Sequence, residues 1–148
     1  MIILDTNVIS ELMKGNNCSV SISNWTSQQL ITNLYTTTIT QAEILYGIAI
    51  LPQGKRQDEL QKAANLMFTE DFSGRILSFD QKAAVSFALI ASKRIKIGQP
   101  ISQADAQIAA ICLSHNATLA TRNVDDFKNC NIAITNPWDY RVISGPEN

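Results

Sequence analysis

The 148-residue chain has too little of several residue types to belong to the more specialised protein classes. It holds three cysteines, Cys18, Cys112 and Cys130, an odd number with no C-x-x-C pair. That excludes a disulfide framework and fits a reducing, cytoplasmic setting. Its one histidine, His115, stands three residues after Cys112, which is half of a zinc pattern. Neither Cys18 nor Cys130 has a partner at ligand spacing, so all four read as ordinary core or surface residues. Apolar runs such as Phe87 to Ala91 fall far short of the roughly 18 residues of a membrane span. The N-terminus has no basic stretch ahead of Ile2-Ile3-Leu4, so no signal peptide and no membrane association are expected. Six glycines and four prolines are too few for a low-complexity or fibrous chain. Lys and Arg total 12 against 13 Asp and Glu, a net charge of -1, so the chain as a whole does not attract a phosphate backbone. Any nucleic acid must be held locally.

What remains is a globular composition, 45% hydrophobic and 17% charged, at about one domain's length. A single domain over 1–148 is expected, with a core at 1–138 and a tail at 139–148. Ile2-Ile3-Leu4 reads as a strand buried on both faces, ended by Asp5. Asn7 is placed to cap a short helix through Ile9 and Leu12, and a second helix spans 20–30. Leu34-Tyr35-Thr36-Thr37 reads as the next strand. A helix from Thr40 carries Ala42, Leu45, Tyr46 and Ala49 at helical spacing, closed by Pro52 and Gly54, and another covers 55–68. A third strand is expected at 75–77. Asp80 then caps a helix with the apolar stripe Ala84, Phe87, Ala88, Ala91 and Ile95, ended by Gly98 and Pro100. Ser102 opens a last helix, and strands are expected at 118–120 and 132–134. Strands alternating with helices imply an α/β domain with a parallel sheet of four to five strands and helices on both faces.

The acidic residues fall at telling places. Asp5 ends a strand, while Glu43 and Asp105 each lie just inside a helix that follows a loop. In an open α/β sheet, strand C-termini and helix N-termini share one edge, where ligands bind near the switch in strand order. Asp5, Glu43, Asp105 and the loop 121–126 are expected to meet there. Converging carboxylates raise one another's pKa unless cations lie between them. A site with oxygen donors and no Cys or His suits Mg²⁺ or Mn²⁺, which can hold phosphate and activate water. Taken singly, each acid also has a structural reading. Thr40-x-x-Glu43 and Ser102-x-x-Asp105 fit capping boxes, and Asp5 fits a strand-end turn. Lys93-Arg94-x-Lys96 suits either phosphate contact or the favourable dipole of a last helical turn.

Four segments together resemble the PIN-domain ribonucleases of the VapC toxin family: Ile3-Leu4-Asp5-Thr6-Asn7-Val8-Ile9-Ser10, Glu43 within 39–47, Asp105 within 104–110, and Ala120-Thr121-Arg122-Asn123. Gly74-Arg75-Ile76-Leu77-Ser78-Phe79-Asp80 and Asn136-Pro137-Trp138 are similar to its FitB-like branch. The resemblance spans about 1–138. It implies a bacterial toxin that cuts RNA internally, commonly tRNA, with Mg²⁺ or Mn²⁺. It also implies a homodimer silenced by a DNA-binding antitoxin whose C-terminal segment lies over the site. Asp5, Glu43 and Asp105 match the family's acidic positions, and Thr6 and Asn7 match the polar pair after the first acid. At the fourth position some relatives carry Asp where this chain has Asn123. Asp126 is the compensating candidate for a second metal or for positioning water, with Asn123 assisting. A haloacid-dehalogenase-like phosphatase is the competing enzyme class. It needs a general acid two residues after its nucleophile, yet position 7 is Asn and no D-x-D occurs. A non-catalytic PIN module that only binds a partner would be marked by lost acids, and three are intact.

Overall fold

The computed structural model describes residues 1–142, so positions 143–148 of the expected tail lie outside the described residues. Five parallel strands form one sheet in the order β3-β2-β1-β4-β5: β1 (Ile2–Leu4), β2 (Leu34–Thr37), β3 (Ile76–Leu77), β4 (Thr118–Ala120) and β5 (Ile134–Thr135). Six helices connect them: α1 (Thr6–Leu12), α2 (Val20–Ser27), α3 (Thr38–Ala49), α4 (Lys55–Leu66), α5 (Gln81–Lys96) and α6 (Gln103–Ser114).

Side chains that alternate along a strand point to opposite faces, and the core divides accordingly. Ile3 and Leu119 join one buried cluster with Ala83 and Ile90 of α5 and Ile108 and Ile111 of α6. Their neighbours Leu4 and Ala120 join the other, with Val8 and Ile9 of α1, Trp25 of α2, Ile44 and Ile48 of α3 and Ala64 of α4. Both faces of the sheet are therefore covered, which is why the central strands read as continuous apolar runs.

Several boundaries differ from the sequence reading. Asp5, not Asn7, caps α1: its backbone is extended and its carboxylate accepts from Thr6 N. Thr37, not Thr40, caps α3 by accepting from Thr40 N at 3.1 Å, which puts Glu43 in the second turn and removes the capping-box account of it. Helix α2 stops at Ser27, whose hydroxyl donates to Asn24 O at 2.8 Å and competes with further helical bonding. Helix α4 widens after Leu66 into a π-helical turn, Met67–Asp71, and Met67, Phe68 and Phe72 all enter the core. The fifth strand begins at Ile134 because Asn129 and Asn131 adopt positive φ, 62° and 59°, and hold the preceding residues in turns.

The face of α5 is also rotated from the expected stripe. Ala83, Ser86, Ile90 and Arg94 are buried, whereas Ala84, Ala88 and Ile95 are exposed. Helix α5 has apolar residues on two sides, so hydrophobicity alone selects the wrong one. Arg94 is not a surface cation. It is 6% exposed and donates to Gln99 O, Asp126 O and Lys128 O at 2.6, 2.9 and 2.8 Å.

Candidate active site

The strand order turns at β1: the chain builds outward through β2 and β3, then crosses to the other side of β1 for β4 and β5. The carboxyl ends of β1 and β4 therefore flank the switch point, where open α/β sheets bind ligands. Asp5 and Thr121 are the residues that immediately follow these two strands. Asp5 N donates to Ala120 O at 3.0 Å, so the ladder holds the two strand ends together.

Asp5 is 4% exposed and fully engaged. Its Oδ1 accepts from Thr6 N at 2.8 Å, and its Oδ2 accepts from the Thr121 hydroxyl at 2.7 Å and more weakly from Asn7 Nδ2 at 3.4 Å. Asn7 ties the two loops together by donating to Thr121 Oγ1 at 3.2 Å and accepting from Arg122 N at 3.2 Å. Thr6 turns the other way. Its hydroxyl donates to Glu43 Oε1 at 2.9 Å and lies 3.1 Å from Thr40 Oγ1, coupling α1 to α3. On α6, the Ser102 hydroxyl caps the helix by accepting from Asp105 N at 3.2 Å, which puts Asp105 in the first turn, where its charge bears on Asp5.

The electrostatics follow from this placement. Burial is the main cause that pushes the Asp5 pKa up to about 6, opposed by the bonds from Thr121 and Thr6 and reinforced by the charges of Asp105 and Glu43. Asp105 is also raised, first by burial and further by Asp126 and Glu43, against hydrogen bonding from Ser102 and the charge of Arg94. Asp5, Glu43, Asp105 and Asp126 thus share one electrostatic neighbourhood although four different segments supply them.

The other expected participants are placed less closely. Asp126 is exposed on a 3₁₀ turn, Val124–Phe127, held through its backbone carbonyl by Arg94. Asn123 is exposed, and its backbone N–H, not its side chain, joins the network by donating to Thr121 Oγ1 at 3.0 Å. His115, Cys18, Cys112 and Cys130 belong to no metal-binding group among the described residues. Sequence reasoning brought Thr121 to the site as part of the 121–126 loop but gave its side chain no role. It is fully buried and its hydroxyl contacts Asp5, Asn7 and Asn123, and its available signal was its position directly after β4, mirroring Asp5 after β1.

Among the described residues, no three acidic, histidine or cysteine side chains close tightly enough to cage an ion. The donor set still suits a hard cation. It contains only oxygen, one carboxylate is buried with its affinity for a proton raised, and the remaining acids border an open edge. Mg²⁺ commonly binds through one or two carboxylates while keeping its waters, so an open arrangement of this kind fits it better than a closed cage would.

The chain matches the PIN domain family over residues 2–131. It is 37% identical to the VapC ribonuclease Y4jK of Sinorhizobium fredii over 94% of this chain and 99% of that one. It is 36% identical to the toxin FitB of Neisseria gonorrhoeae over 93% and 99%. One chain of the solved structure of FitAB bound to an IR36 DNA fragment superposes with a TM-score of 0.86 at 35% identity, over 97% of this chain and 100% of that one. The chain belongs to the PIN-domain family and, within it, to the VapC group with FitB. Membership sets aside the haloacid-dehalogenase alternative.

Proposed function

We propose that this protein is a metal-dependent endoribonuclease, the toxin of a toxin–antitoxin pair, and that Asp5, Glu43 and Asp105 hold Mg²⁺ or Mn²⁺. The observation that carries the reading is Asp5: a carboxylate buried at the topological switch, pinned by Thr6 N and the Thr121 hydroxyl, its pKa raised to about 6, and facing two further acids. A bound cation there would neutralise the acids, hold the substrate phosphate and activate water. The protein's own groups fix the geometry. The Thr6 hydroxyl orients Glu43, Ser102 sets the first turn carrying Asp105, and Asn7 locks the loop after β4 onto the loop after β1. Asp126, whose charge bears on Asp105, would position water or a second ion, with Asn123 of the same loop assisting. Structured RNA, tRNA among it, is the substrate class that the resemblance implies.

Similar solved structures include FitAB bound to a DNA fragment and a VapBC complex, and we infer a DNA-binding antitoxin for this chain. A groove of about 800 Å³ runs from Thr6 and Glu43 along Met13, Ile44, Ile48 and Leu60, so a C-terminal antitoxin segment laid there would reach the acids. Val85 and Leu89 stand 67% and 61% exposed on α5 and suit a homodimer contact.

The deciding experiment is RNA cleavage by purified protein. Cleavage should vanish with EDTA and return with Mg²⁺ or Mn²⁺, and Asp105→Asn should fold but not cleave. Cleavage that persists in chelator after contaminating nuclease is excluded would refute the metal site. A wild-type protein that binds its antitoxin but cleaves nothing would leave the non-catalytic module.

A further inference from the structure

Beside the carboxylates, the loop after β4 carries a feature that the cleavage chemistry does not use. Arg122 directly follows Thr121, and its backbone N–H is fixed on Asn7 Oδ1. Its guanidinium lies 5.1 Å from the centre of the Trp138 ring. Trp138 packs on the core cluster containing Leu4 and Ala120, and its backbone N–H donates to Asn136 Oδ1 at 3.0 Å. The half-buried ring thus lies under the exposed Arg122 guanidinium, which presents a cationic group on the loop that also carries Asp126.

The guanidinium borders an open recess of about 490 Å³ shared by Arg122, Asn123, Asp125, Asp126, Asn136 and Asp139. The acids on its wall repel a phosphate, so the recess does not suit the RNA backbone. It does suit a base. Single-stranded RNA is read by bases stacked on aromatic rings or arginine planes, with hydrogen bonds to their edges. Of the wall carboxylates, Asp125 is paired with Lys128 at 2.8 Å, and Asp126 bears through its charge on the proposed metal ligand Asp105. Asp139 is the remaining one, and its carboxylate makes no hydrogen bond or ion pair among the described residues. A carboxylate offers two adjacent acceptors. Guanine is the RNA base whose edge presents two adjacent donor groups, the ring N1–H and the exocyclic N2 amine.

We propose that Arg122, held over the Trp138 ring, with Asp139 beside them, forms a subsite for a guanine base of the RNA next to the scissile phosphate. The proposal rests on the ribonuclease reading and extends it to base selection. Arg122 and Asp139 act as specificity residues and take no part in bond breaking.

The test measures binding separately from cleavage. Fluorescently labelled short uridine oligonucleotides carrying one guanosine, one inosine or one abasic position are titrated with the full-length Asp105→Asn protein in Mg²⁺, read by anisotropy. Losing a stacked base costs about fivefold in affinity or more, so the guanosine probe should bind at least that much tighter than the abasic one. Arg122→Ala should erase the difference, and so should Arg122→Lys, because lysine keeps the charge without the plane. Trp138→Phe, which preserves the packing, should weaken the preference, and Asp139→Asn should bring guanosine and inosine to parity. Equal or absent binding across the probes overturns the subsite, as does full rescue by Arg122→Lys, which would reveal simple charge attraction. If guanosine-dependent binding holds but the wild-type protein cleaves no RNA, the subsite stands and the nuclease reading falls. Cleavage without base dependence sinks the subsite alone.

Discussion

Burial decides the chemistry of Asp5. A surface aspartate titrates near 3.9, but this carboxyl, enclosed at the strand end with two other acids in view, titrates near 6. The folded protein therefore holds that proton more tightly than the unfolded chain does. Below about pH 4 both states are protonated and there is no penalty. As pH rises from about 4 to about 6, the folded state must give up a proton it favours, and stability falls by up to roughly 3 kcal/mol before levelling off. In chelator, Asp5→Asn should lack this decline. Urea unfolding at pH 4.5 and 7.5 checks it: the variant should gain on the wild type as pH rises and exceed it at pH 7.5. All other titrating groups are common to both proteins, so a constant difference between them across this window would show that Asp5 is not perturbed.

At the scale of elements, the site depends on how loops are pinned as much as on the acids. The turn carrying Asp126 hangs on Arg94, which reaches from α5 to the carbonyls of Asp126 and Lys128. This guanidinium is buried and serves carbonyls on two segments, a geometry that the single ammonium of lysine cannot reproduce. Arg94→Lys should lower stability by about 1–3 kcal/mol, the cost of buried groups left unpaired. It should also reduce RNA cleavage by displacing Asp126, while leaving the Asp5 titration intact. Thermal melting and cleavage rates of the same preparation test both halves. Equal activity in a destabilised variant would mean that the position of Asp126 does not matter. Arg94 was not legible in the sequence, where three basic residues in a last helical turn look alike. Only packing against Gln99 and the 126–130 loop distinguishes the one that is buried. The rotation of α5 has a similar cause, since apolar residues line two of its sides and the partner helix α6 chooses between them. By contrast, β1, β2 and β4 and the placing of Asp5, Glu43 and Asp105 at one sheet edge were readable, because each follows from a local pattern and from the rule that βα units share a polarity.

At the scale of the whole molecule, these acids come from positions far apart in sequence: the end of β1, the second turn of α3, the first turn of α6 and the loop after β4. The unfolded chain scatters them, so a cation held by them would bind the folded state alone and would stabilise it. At a metal concentration of 100 times Kd the linkage is worth about 2.7 kcal/mol. For a domain of this size that corresponds to a rise in Tm on the order of 5–10 °C. The gain should be large at pH 7.5, where Asp5 is ionised, and small at pH 5, where its proton competes with the metal. Asp5→Asn and Glu43→Gln should each lose most of it. The control is Asp80→Asn. Asp80 caps α5 by accepting from Ala83 N at 3.0 Å, takes no part in the carboxylate network, and Asn caps a helix about as well as Asp. It should keep the full metal-induced rise. Differential scanning calorimetry of these four proteins, with Mg²⁺ or Mn²⁺ and with EDTA, makes the comparison without depending on any RNA. If Asp5→Asn kept the wild-type rise, the cation would bind elsewhere on the chain, and the carboxylates at the switch point would have to be assigned some other work.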